Sequence, residues 1–245
     1  MTVRIAVCGK GGVGKTTIVC GIVKCFLELN HTPILVVDAD PNSNLAENLG
    51  VTYTTTVADI REELRNVQIP SNISKSDYFL MRLQDAVVEH KGFDLIVMGR
   101  PEGRECYCFV NELLRTFLSN LSKNYKFVVI DTEAGMEHLS RRTTDNIDHL
   151  IVVATPTKVA MDTAKKIIKL TEQLKLKILN KKVVLNMADS KNFSSQWEID
   201  FVIHKDNTVE NYSQQGLPLL ENIINTNFYK EIKLFCNTFF NPVRG

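Results

Sequence analysis

Short, continuously apolar runs recur along the chain, separated by longer stretches with helical spacing. The runs are Arg4 to Cys8, Ile34 to Asp38, Asp94 to Met98, Phe127 to Asp131, His149 to Ala154 and Lys182 to Asn186. Runs such as Ile34-Leu35-Val36-Val37 and Ile151-Val152-Val153 lack the apolar–polar alternation of a half-exposed strand, as expected for strands covered on both faces. Between them, Thr16 to Asn30 and Val159 to Leu174 repeat apolar residues at helical intervals. Strand–helix alternation of this kind predicts an α/β fold: a doubly wound, mostly parallel sheet with helices on both faces.

Length and composition narrow the picture. With 245 residues, 44% hydrophobic and 23% charged, the chain has globular proportions, which excludes a disordered chain, a fibre and a coiled coil. No internal repeat and no Gly/Ser/Pro-rich linker interrupts it, so one domain over residues 1–245 is expected. A formal net charge of +1 advertises no nucleic-acid partner. No apolar run reaches the roughly 18 residues of a membrane span, and the N-terminus enters a strand without a signal-peptide pattern. The expectation is a cytoplasmic protein. Six cysteines are too few for a disulfide scaffold, and in that compartment any paired ones are metal or redox candidates rather than staples.

Two stretches invite a surface role. Lys158 to Lys182 holds eight lysines, and a solvated helix face is the expected reading. Phe228 to Phe240 is aromatic-rich but poor in basic residues, so a terminal helix packed on the core is expected rather than a membrane anchor.

Gly9-Lys10-Gly11-Gly12-Val13-Gly14-Lys15-Thr16 fits G-x-x-x-x-G-K-[ST] without mismatch, between a strand and a helix. Glycines let successive backbone N–H groups turn around a phosphate, and the helix N-terminus adds partial positive charge. Lys15 supplies a full charge to the β- and γ-phosphates, and the Thr16 hydroxyl suits Mg²⁺. The apolar run ending at Asp131 has a Walker B pattern, which places that carboxylate for Mg²⁺ through a water.

The second lysine, in Lys10-Gly11-Gly12-Val13-Gly14-Lys15-Thr16-Thr17, resembles the deviant P-loop of the MinD/ParA-type ATPases, a family that also contains the nitrogenase iron protein. The resemblance implies an ATP-dependent homodimer in which Lys10 reaches the partner's phosphates. Asp38-Ala39-Asp40-Pro41 matches the family's switch I, and Asp40 is the acid expected to orient or deprotonate the attacking water, or to support Mg²⁺. Asp38 is expected to hold the loop or a Mg²⁺-bound water. The lesser alternative is that both are simply turn formers before Pro41. Gly135 fits the switch II glycine. Asn186 sits where the family places an adenine-binding asparagine, and Pro218 in a later segment near the base. No N-K-x-D guanine signature is present, so ATP is favoured over GTP.

Cys106-Tyr107-Cys108 is a pair whose thiolates face one way on an extended chain and can share one soft metal. Two ligands make a weak site, and a dimer axis would supply two more, giving an S₄ site suited to Zn²⁺ or Ni²⁺. Buried packing cysteines and a redox disulfide remain open on spacing alone. Together with Gly99-Arg100-Pro101-Glu102 and Glu133 to Thr144, the pair resembles the nickel-insertion ATPases of carbon monoxide dehydrogenase, the CooC type. That resemblance implies nickel at a dimer interface and carbon monoxide dehydrogenase as client, with no nucleic acid and no stable membrane association. A membrane- or DNA-associated positioning ATPase and an iron–sulfur electron-transfer ATPase are the alternatives. Cys8, Cys20, Cys25 and Cys236 lie in apolar patterns and are expected in the core.

Overall fold

The computed structural model describes residues 2–69, 71–100, 108–133, 146–174, 176–189 and 198–240. Its strands are β1 (Val3–Gly9), β2 (Ile34–Ala39), β3 (Val87–His90), β4 (Phe93–Val97), β5 (Phe127–Thr132), β6 (Asn146–Ala154), β7 (Lys177–Ala188) and β8 (Phe201–His204). They form one sheet in the order β3-β4-β2-β5-β1-β6-β7-β8. Every pairing is parallel except β3 with β4. The helices are α1 (Lys15–Glu28), α2 (Leu45–Leu49), α3 (Val57–Asn66), α4 (Lys75–Asp85), α5 (Cys108–Ser122), α6 (Lys158–Gln173), α7 (Asn207–Gln214), α8 (Leu219–Asn222) and α9 (Asn227–Phe239).

All six expected strands are present. Side chains on a strand point alternately to opposite faces, so the burial of every residue of β2 and β5 means that both faces of the sheet are covered. Two strands were not anticipated. β3 is four residues, two of them exposed, and it pairs back onto β4 across Lys91-Gly92. β8 is equally short, and only Ile203 is fully buried in it. Neither has enough apolar length to stand out as a run. Both lie at the rims of the sheet, where one neighbour is missing.

The chain leaves β1 towards β2 on one side and leaves β5 towards β6 on the other. Strand order therefore reverses beside β1. In open α/β sheets, ligands bind outside the carboxyl ends of the strands at such a reversal.

α1 is the central helix. One of its flanks meets α9, and the approach is close because position 21 is glycine. A Cβ there would lie 3.0 Å from Ile232 Cγ1 and 3.2 Å from Phe228 Cε1. One turn further along, Cys25 and Cys236 face each other in the same buried seam. Below it, Phe26, Phe127, Phe235 and Phe240 stack at centroid distances of 4.3 to 5.6 Å, tying α1, β5 and α9 together. The apolar face of α9 (Phe228, Tyr229, Ile232, Phe235, Cys236) is thus spent on the core, as expected for a packed terminal helix. Among the described residues, no helix is long and apolar enough to cross a membrane. The four cysteines expected in the core are buried there.

The lysine-rich stretch divides between α6 and β7, where acids offset some of its charge. Lys181 pairs with Glu172 at 3.5 Å, and Lys182 pairs with Asp200 at 2.8 Å.

Gly21→Val places two further methyl groups into the filled α1–α9 seam. It should cost about 1–3 kcal/mol, read as a lower denaturation midpoint at unchanged slope. An unchanged midpoint would show the seam to be slack.

Candidate phosphate-binding and acidic site

The loop after β1 turns into α1 at Gly14, which has φ of 88°. A side chain is excluded there twice: by the left-handed backbone, and because a Cβ would lie 2.3 Å from Asn186 Nδ2. α3, α4, α6, α7 and α9 are each capped by a Thr, Ser or Asp side chain. α1 begins with no side-chain cap, so its first N–H groups stay available to the loop. Lys15 is buried at 6% exposure, and its Nζ lies 3.5 Å from the Lys10 carbonyl. A buried ammonium held by one long bond to its own loop has strong demand for an anion. Lys10, Gly11 and Gly12 are exposed, while Gly9 and Val13 are buried. Thr16 and Thr17 follow on the first turn of α1, half-buried.

Facing the loop are the carboxyl ends of β2 and β5. Their register sets Asp38 directly opposite Asp131, and both side chains are buried. Asp131 Oδ2 accepts the Thr16 hydroxyl at 2.7 Å. Asp131 Oδ1 is buried with no hydrogen-bond partner. Asp38 accepts backbone N–H groups of Asp40 at 3.2 Å and Leu45 at 3.1 Å, which makes it the anchor of the loop into α2. Burial, then the charge of Asp131, pushes the Asp38 carboxyl up to about 7. Burial likewise raises Asp131 to about 6, against the pull of the Thr16 hydroxyl and of Lys15.

An orphaned carboxylate oxygen beside a hydroxyl, in an all-oxygen donor set, fits a hard cation such as Mg²⁺. Mg²⁺ is commonly held by one or two carboxylates with phosphates and waters completing the shell. Consistently, the described residues contain no group of three or more His, Cys, Asp or Glu around a common metal position.

Residues 2–185 match the AAA domain family. The chain belongs to that family and is a P-loop ATPase of the MinD/ParA type. It is 42% identical to the uncharacterized ATP-binding protein MJ0685 of Methanocaldococcus jannaschii, over 97% of this chain and 98% of that protein. It is 34% identical to the carbon monoxide dehydrogenase accessory protein CooC of Rhodospirillum rubrum, over 72% of each. The fold matches that of the septum site-determining protein MinD from Pyrococcus horikoshii OT3, solved with Mg-ADP. That match has a TM-score of 0.72 at 20% identity and covers 98% of this chain and 97% of that one.

The structure gives several expected site residues of the ATPase contacts that the sequence left open. Asp40 is half-exposed, and its Oδ1 accepts the Asn42 backbone N–H at 2.9 Å and the Asn42 side chain at 3.0 Å. Here it is the turn former that Asp-Pro sequences favour, and it faces its own loop. Asn186 closes over the phosphate loop, its Nδ2 donating to the Val13 carbonyl at 2.8 Å. No spacing rule pointed to that bond between strands far apart in sequence. Pro218 precedes α8 and lies 3.3 Å from where a Gly50 Cβ would stand, beside the end of α2. Thr132, which no motif singled out, ties β5 to β1 through its hydroxyl on the Val7 carbonyl at 2.9 Å. Cys108 is the first residue of α5. Cys106 and Gly135 lie outside the described residues.

The raised acids set a pH dependence. An aspartate unfolded near 3.8 and folded near 7 binds its proton more tightly in the folded chain. Between those values the unfolding free energy therefore falls as pH rises. Nucleotide-free protein should gain thermal stability from Asp38 on going from pH 7.5 to about 5.5. Asp38→Asn should flatten this difference, and should lower the midpoint at both pH values because its amide nitrogen would face one of the two backbone N–H donors that Asp38 accepts. Differential scanning calorimetry of both proteins at the two pH values checks it, and parallel pH profiles would remove Asp38 as the source.

Proposed function

We propose that the chain is an ATP-driven metallochaperone: a homodimer that hydrolyses Mg·ATP, carries nickel on Cys106 and Cys108 at its interface, and supports nickel insertion into carbon monoxide dehydrogenase. The observation that carries this reading is the C-x-C pair, whose second cysteine opens α5, in a chain 34% identical to CooC.

The nucleotide part of the proposal uses the geometry directly. Gly9 to Thr17 wrap the phosphates, and Lys15 meets the β- and γ-phosphate charge. Thr16 and Asp131 would hold Mg²⁺, with Asp38 behind them. When bound, Mg²⁺ neutralises phosphate charge that would otherwise oppose attack by water. Asp40 orients that water once its carboxylate leaves Asn42. Asn186 discriminates the base. A carbonyl can only accept, so the Val13 bond fixes the amide nitrogen inward and leaves Oδ1 as an acceptor. An acceptor suits the 6-amino group of adenine and opposes the 6-oxo group of guanine.

Coupling to the cysteine pair has a physical route in this reading. The Asp38 carbonyl accepts the Met98 N–H at 2.8 Å, and the Met98 carbonyl accepts the Ala58 N–H at 2.9 Å. Gly99 follows, packed so tightly on Thr56 that a Cβ would lie 2.4 Å from its Oγ1. The start of the segment leading to Cys106 is therefore hydrogen-bonded to the same residue that anchors switch I. Movement at Asp38 displaces Met98 and Gly99. That supports a metal site whose geometry depends on the nucleotide.

Lys15→Ala should weaken ATP binding about 10–100-fold, the cost of losing one or two charge-assisted bonds. Lys10→Ala should change monomer affinity by no more than about threefold, yet lower hydrolysis by about 10³-fold or more, as for other cations supplied in trans. Calorimetric titration with ATP and phosphate release measure the two effects. Equal loss of affinity in both variants would refute the trans assignment.

Replacing Cys106 and Cys108 by serine should abolish nickel binding and nickel-promoted dimerisation while leaving ATP affinity intact. Metal analysis and size-exclusion chromatography with added nickel check this. Unchanged nickel binding by the double variant would defeat the interface site, and the ATPase assignment would survive.

A further inference from the structure

The end of the sheet opposite the phosphate loop carries an unexplained concavity. It has a volume of about 600 Å³, within the usual range of ligand-binding clefts. It runs beneath the amino ends of four neighbouring parallel strands, β5, β1, β6 and β7. β1 alone separates it from the phosphate loop, by seven residues or about 20 Å at strand spacing.

Four cations line the concavity: Arg4, Lys123, Lys126 and Lys177. Among the described residues, none has a carboxylate partner. Arg4 donates to the Ser122 hydroxyl at 3.2 Å and Lys123 to the Asn120 amide oxygen at 2.9 Å, both neutral. The single acid in the lining, Asp148, already accepts the Arg4 backbone N–H at 2.6 Å. Lys181, Lys182, Lys205 and Lys233, by contrast, each pair with a carboxylate. In a chain of net charge +1, four unpaired cations around one hollow form a marked local field.

The lining also has an apolar part. Leu179 is 75% exposed, the highest value among the large apolar side chains of the described residues, over a floor that includes the buried Ile147 and Tyr125. The Tyr125 hydroxyl is turned away, donating to Asp94. Its ring is buried in the floor of the hollow, which leaves Leu179 as the apolar contact at the surface.

We propose that this cleft is a docking site for an acidic polypeptide segment of a partner protein. Carboxylates of the segment pair with the lysines, and an apolar residue covers Leu179. A free phosphate or a nucleic-acid backbone uses the cations but leaves the exposed leucine uncovered. The site lies at the far end of the strands from the nucleotide, so docking does not depend on ATP. It is also independent of the nickel reading: the same cleft would serve any client that presents such a segment.

The test uses the whole protein and a fluorescein-labelled octapeptide of glutamates interrupted by two leucines, read by fluorescence anisotropy at 50 and 200 mM salt. The expected result is saturable binding that weakens at high salt and is unchanged by Mg·ATP. Lys126→Glu with Lys177→Glu should weaken it at least tenfold, and Leu179→Asp about fivefold. Lys165→Glu with Lys169→Glu, on α6, should change it less than twofold. ATP affinity serves as the control for folding of each variant. Equal weakening by the α6 pair would reduce the effect to overall charge. Insensitivity to Leu179→Asp would remove the apolar contact. Tighter binding of a single-stranded oligonucleotide of equal charge would replace a peptide by a nucleic acid. Each of these overturns the proposal.

Discussion

The register between β2 and β5 is the constraint on which the rest of the site depends. It sets two aspartates side by side where neither meets solvent. Like charges this close and this dry oppose their own ionisation. The protein tolerates the cost because each acid has separate work. Asp38 holds the backbone that turns towards α2, and Asp131 receives the first hydroxyl of α1. A one-residue slip of either strand would turn its aspartate to the opposite face of the sheet and separate the pair. The fully buried strands on either side make such a slip prohibitive.

Much of this was legible in the sequence, for a definable reason. Strands covered on both faces must be apolar throughout, so the six inner strands wrote themselves as runs, and each strand end carried its polar residue into the same rim. The phosphate loop was readable because its glycines answer a local backbone demand. The two short rim strands were not readable, since partial exposure removes the pattern. The role of Asn186 at Val13 was also hidden: a side chain bridging residues 173 positions apart leaves no periodic trace. Asp40 shows the same limit from the other side. Its identity marks switch I, but identity does not say that the carboxylate rests on Asn42.

The connection from β4 to α5 shows how a local requirement becomes a long-range one. Thr56 caps α3 and at the same time walls in Gly99, while Asp38 reaches the same strand end through its carbonyl. Three elements separated in sequence thus share one small contact. Proteins transmit changes through packed groups of this kind because close-packed interiors deform little before they rearrange.

The bond between Asn186 and Val13 has one more consequence. A glycine-rich loop left to itself samples many shapes, and a ligand must then supply the free energy to select one. Here the strand beneath it, through a single amide, holds the loop near one shape in advance. Part of the ordering entropy is therefore settled at folding, before any ligand arrives. The same amide is polarised by the carbonyl it serves, which sharpens its free oxygen as an acceptor. The shape of the loop is, in this molecule, written partly into the strand beneath it.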